Sequence, residues 1–128
     1  MRNSWSSITA LAAALFLLGG CNRAESPGEV AHDTQEAAQE GQQEVTQAQQ
    51  DAAQDAAAAN QGMPGVETPS ENNYEIQVAR AEADHKVAVE RCEALAGDEQ
   101  KACKDAADAQ LDASKAEAER QRAATTTP

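Results

Sequence analysis

Arg91-Cys92-Glu93-Ala94-Leu95-Ala96-Gly97-Asp98-Glu99-Gln100-Lys101-Ala102-Cys103 decides how this chain folds, because it sets a turn signal midway between two cysteines. Gly97 takes a left-handed helix end at little cost, and Asp98 can cap a helix that follows. Cys92 lies five residues before Gly97 and Cys103 five residues after Asp98, so a reversal there brings the thiols opposite each other. In one continuous helix they would share a face about 16 Å apart at 1.5 Å per residue, beyond any disulfide. The expectation is an αα-hairpin clasped by a Cys92–Cys103 disulfide.

Upstream of the turn, Tyr74, Val78, Ala81, His85, Ala88, Cys92 and Leu95 recur at steps of four and three, a stripe that a helix must bury. Asn72, with Glu75 three residues on, has capping-box spacing and is the N-cap candidate for that helix. The second helix is expected to run to about Arg122, giving a hairpin over residues 72–122 and a disordered tail over 123–128. Residues 62–71 contain Gly62, Pro64, Gly65 and Pro69 and read as a linker.

Residues 30–61 are almost entirely Ala, Gln, Glu and Asp. Ala31, Ala38, Val45, Ala52 and Ala59 recur every seven residues like one seam of a coiled coil, while the companion seam Thr34, Gly41, Ala48, Asp55 and Gly62 is poor. The expectation is a partly helical, partly disordered acidic arm that firms up against a partner. Before it, residues 21–29 carry Ser26-Pro27-Gly28, read as a flexible tether reaching about 25 Å. The expected fold class is all-α and elongated, a partly disordered acidic arm followed by a disulfide-clasped hairpin.

At the N-terminus, Arg2 precedes an uncharged run from Ala10 to Leu18, too short for a membrane span of roughly 20 residues but suited to a cleaved signal over residues 1–20. The run closes on Leu18-Gly19-Gly20-Cys21. This pattern resembles the lipobox of bacterial lipoprotein precursors. The resemblance implies cleavage between Gly20 and Cys21, a diacylglyceryl group on the Cys21 thiol, and residence in the envelope. Asn22 stands where an aspartate would favour inner-membrane retention, so the resemblance implies the periplasmic face of the outer membrane. With Cys21 acylated, Cys92 and Cys103 are an even pair in an oxidising compartment.

Residues 74–120 also resemble a group of small proteobacterial envelope proteins carrying a Lys/Arg-Cys-Asp/Glu-Ala-Leu-Ser/Ala-Gly-Asp segment before a second cysteine. Here that segment is Arg91 to Asp98, followed by Ala102-Cys103-Lys104-Asp105. The resemblance implies a hairpin and a compartment, not an activity.

Composition narrows the function classes. After Cys21 the branched aliphatics are Val30, Val45, Val66, Ile76, Val78, Val87, Val89, Leu95 and Leu111, and Tyr74 is the sole aromatic, too few for a deep core. Loss of Arg2 with the signal takes the formal charge from −12 to −13, which repels phosphate backbones and argues against nucleic acid as a partner. Residues 22–62 carry eight acids against Arg23 alone, whereas 98–128 carry seven against five bases, a mixed-sign helix. Catalytic triads and phosphate loops have no counterpart in the sequence, so neither an enzyme, a cofactor nor a small-molecule substrate is expected. His85, two turns before Cys92, suggests a His-Cys-Cys metal site only if the thiols stay reduced, so no metal is expected, and His32 reads as a solvated side chain. Glu82 and Lys86 are spaced for an i,i+4 pair. The expected role is a structural or tethered interaction module, anchored in the membrane by lipid and meeting an envelope protein through the hairpin stripe. The competing expectation is an envelope-stress or cation-binding module that uses the acidic arm.

Overall fold

The computed structural model describes residues 23–126; Gly20, Cys21 and the rest of the signal, with the last two residues, lie outside the described residues. Three helices follow one another: α1 (Pro27–Asn60), α2 (Pro69–Cys92) and α3 (Gly97–Thr126). The architecture is all-α, and the clasped hairpin is present as α2 and α3.

α1 and α2 begin by the same chemistry. Ser26 caps α1, accepting from the Glu29 amide while Glu29 Oε2 accepts from the Ser26 amide at 3.0 Å. Thr68 caps α2 in the same reciprocal way, its amide donating to Glu71 Oε2 at 2.9 Å. In both, proline occupies the first helical position, where its missing N–H costs nothing and its fixed φ already suits the helix. This corrects two boundaries. Ser26-Pro27-Gly28 starts a helix rather than a tether, and Asn72 is not the N-cap but lies inside the first turn of α2, buried at 8% exposure. With its amide nitrogen turned toward them, Asn72 donates to Asp55 Oδ2 of α1 and Glu67 Oε2 of the connection, both at 3.2 Å.

The α1–α2 connection reverses through Gly62 (φ +72°) and Gly65 (φ +82°). The second reversal uses Gly97 at φ +63°, the left-handed conformation expected of it. Asp98 falls in the first turn of α3 rather than capping it. α3 stays helical through Thr126, so residues 123–126 are not a disordered tail.

α1 packs on α2 and α2 on α3, but α1 and α3 do not pack on each other, so the three form an antiparallel layer with α2 in the middle. Where the composition suggests a partly disordered arm, residues 27–60 form one uninterrupted helix that buries a seam against α2. That seam is the poor one: Thr34, Gly41, Ala48 and Asp55 are covered, with Ala37 beside them, whereas Ala31, Ala38 and Ala59 of the regular heptad are exposed. The reason is distance of approach. At Gly41 a methyl group would lie 2.5 Å from the Ala83 Cβ, so the α1 backbone packs directly on the Ala83 methyl with no side chain of its own between them.

The α2 stripe faces α3, as its periodicity requires. Tyr74 lies under the Arg122 guanidinium at 4.4 Å, His85 Nε2 meets Asp108 Oδ1 at 2.6 Å, and Cys92 meets Cys103. Leu95 lies beyond the helix end and is exposed. The buried apolar side chains among the described residues are only Ala37, Cys92, Ala107 and Ala118. So slight a core leaves the layer dependent on close helix contact, caps and the disulfide.

Candidate functional site

The disulfide joins Cys92 and Cys103 with Cα atoms 5.7 Å apart, and Cys92 is the largest fully buried side chain among the described residues, at 1% exposure. The same end of the layer receives the start of the chain: the Glu25 amide donates to the Glu93 carbonyl at 2.8 Å, tying the residues before α1 to the α2–α3 turn. The tether is therefore shorter than its composition suggests, since Glu25 is fixed and Pro27–Glu29 are helical.

His85 is engaged with Asp108, and both sulfurs that would have joined it around a metal are in the disulfide. His32, Asp33 and Glu36 come close enough to share an ion but stand on the exposed side of α1. There the Asp33 hydrogen bond raises the basicity of His32. Instead of pairing with each other, Glu82 and Lys86 reach opposite neighbours: Glu82 meets Lys115 of α3 at 2.7 Å and Lys86 meets Glu44 of α1 at 2.6 Å. Lys104 closes a third interhelical pair on Glu93. In each case the carboxylate hydrogen bond, set against partial desolvation, holds the ammonium above its ordinary value.

These pairs all stand on one side of the layer. At about 100° per residue, six of the seven acids of α1 (Glu29, Asp33, Glu36, Glu40, Glu44 and Asp51) fall on that same side of the helix, while Asp55 turns into the α2 seam. At the far end, partial desolvation and then the nearby Glu75, Asp55 and Glu71 push the Glu67 carboxyl above its usual value. This is the charged face.

The opposite face is rich in alanine and glutamine, with the Glu117–Arg120 pair of α3 at its edge. One groove runs between α1 and α2, lined by Ala38, Gln42, Val45, Gln49, Ala83 and Val87. A second runs between α2 and α3, with Ala81, Ala88, Ala106, Gln110 and Leu111 among its walls. The α2 ridge between them exposes Arg80, Asp84 and Arg91. Ala38 and Val45 of the heptad line the first groove, so there the regularity marks the rim of the open face and not the closest helix contact.

Among the described residues no helix is long and apolar enough to cross a membrane. Comparison with protein-family models, with curated proteins and with solved structures returns no match to the chain.

Proposed function

We propose that this chain is a lipoprotein of the outer membrane, anchored through Cys21 on the periplasmic face, that serves as a structural or tethered interaction module of the envelope. The lipobox Leu18-Gly19-Gly20-Cys21 supports the anchor, and the Glu25–Glu93 hydrogen bond supports the use made of it. The four peptide steps from Glu25 back to Cys21 span at most about 14 Å, so a lipid there would hold the α2–α3 turn close to the bilayer surface. The three-helix layer then extends away from the membrane, and its two faces differ in chemistry. The module works by presentation, with no reaction assigned to it.

The test is Cys21→Ser in cells labelled with a radioactive fatty acid. Loss of label, retention of the uncleaved precursor and loss of the mature membrane form support the reading. Labelled protein of mature size from that variant overturns it. Asn22→Asp tests the destination separately: a shift toward the inner membrane supports sorting by that residue, and unchanged fractionation assigns sorting elsewhere.

The second reading, a cation-binding module, draws on the single-sided acids of α1 and the raised Glu67 carboxyl. Calorimetric titration of the purified protein with calcium tests it; saturable heat that is lost on neutralising Glu67, Glu75 and Asp55 would favour it over simple presentation.

A further inference from the structure

We infer that the open Ala/Gln face is a self-association surface, on which a second copy of this chain lies face to face to make a two-layer, six-helix dimer. The distribution of charge favours such a pairing. The chain carries a formal charge of −12, yet none of the seven acids of α1 points toward this face, where Asp84 and Glu117 stand beside Arg80 and Arg120. Two copies meeting here keep their charged faces outward in water, whereas any contact through the charged face sets carboxylate against carboxylate.

The area of the face favours it as well. Helices of 34, 24 and 30 residues overlap over about 36 Å at 1.5 Å per residue. Three of them side by side at 8–10 Å give a face on the order of 900 Å2. A stable interface takes roughly 800 Å2 from each partner. The small residues of the face permit the close approach that Gly41 and Ala83 already make within one chain.

The ridge supplies the complementary charges. Among the described residues Arg80 forms no ion pair, not even with Asp84 one turn away on the same helix. If both copies are anchored at the same end, a two-fold axis runs along the helices and lays one α2 parallel to the other. This orientation rests on the anchored reading. Arg80 of each copy then stands about 6 Å in height from Asp84 of the other, one helical turn, and two reciprocal pairs form across the axis.

The experiment adds one cysteine to the full-length chain and treats cells with a short bismaleimide. Asn73→Cys lies on the open ridge and Glu75→Cys on the charged face, both exposed. The expected result is a covalent species of twice the chain mass from Asn73→Cys, at least fivefold more abundant than from Glu75→Cys. Adding Arg80→Glu should abolish the excess, and adding Asp84→Arg to that variant should restore it, because the reciprocal pairs are re-formed with their signs exchanged. Equal yields from the two reporters, or an adduct whose mass is that of another protein, overturn the inference. A ridge cross-link that is insensitive to the charge exchange overturns the parallel register. Repeating the cross-link in Cys21→Ser separates the two proposals: fractionation reads the anchor, and the dimer band reads the face.

Discussion

Gly41 packs directly against the Ala83 methyl: a Cβ built on Gly41 comes within 2.5 Å of the Ala83 Cβ and 2.9 Å of its Cα. At an exposed helical site, replacing glycine by alanine adds about 1 kcal/mol of helix propensity. Here the added methyl meets backbone that cannot swing aside, and overpacking of this kind costs about 1–3 kcal/mol. Gly41→Ala is therefore expected to lower the melting temperature, and Ala83→Gly in the same chain to recover part of the loss. Thermal denaturation followed by circular dichroism checks both; a more stable Gly41→Ala would show that the helices separate freely.

Reduction of Cys92–Cys103, or the pair Cys92→Ser and Cys103→Ser, should remove on the order of 3 kcal/mol, the loop-closure constraint of a loop this short. So small a core leaves little in reserve, and the expected result is lower helicity with a broad, non-cooperative melt. A double mutant that melts like the native chain would refute the dependence.

The two capping boxes predict an acid-side weakness. Hydrogen bonds from Ser26 hold the Glu29 carboxyl below its ordinary value of 4.5, and those from Thr68 do the same for Glu71. A carboxylate whose folded pKa is depressed stabilises the fold above its unfolded value and loses that contribution as pH falls through the folded one. Thr68→Ala should cost about 1 kcal/mol at neutral pH. Its deficit should shrink below pH 4.5, where Glu71 loses its charge in the native chain as well. A deficit constant from pH 7 to pH 3 would mean that the carboxylate takes no part in the cap.

Glu67 predicts the opposite sign. Its carboxyl is raised above 4.5 by partial desolvation and then by Glu75, Asp55 and Glu71, so ionisation works against the fold at neutral pH. The penalty disappears as pH falls through the raised value. Glu67→Gln should therefore melt higher than the native chain at pH 7 and together with it below pH 4.5. Asn72→Ala, by contrast, deprives Asp55 and Glu67 of a shared donor and should lower stability by about 1 kcal/mol. Melting curves at the two pH values separate these effects.

The hairpin was legible because its signals are local and strong: Gly97 can reverse the chain, the cysteines are equidistant from the turn, and the Tyr74 to Cys92 stripe has one period. The α1 seam was hidden because hydrophobic pattern ranks residues by apolar surface. Here Gly41 wins by having none, while Ala31 and Ala38 lose by standing too far round the helix and Ala59 by lying in its last turn. Proline misled in the same way at Pro27 and Pro69, where a helix breaker preceded by Ser26 or Thr68 is a helix starter. The acidic stripe of α1 is written in the sequence at steps of three, four and seven, but only the position of α2 gives it a side.

Because α2 alone touches both neighbours, the chain enters at one end of the layer beside the α2–α3 turn and leaves α3 at the other. A pull between those two termini drags α1 and α3 lengthwise along α2 in opposite directions, which loads the Gly41–Ala83 contact and the interhelical ion pairs together as shear. A pull between Glu25 and the turn at Leu95 instead opens the Glu25–Glu93 bond and the first cap and then peels α1 from α2, while the disulfide keeps α2 and α3 together. The layer is thus strong along its length and weak at one corner.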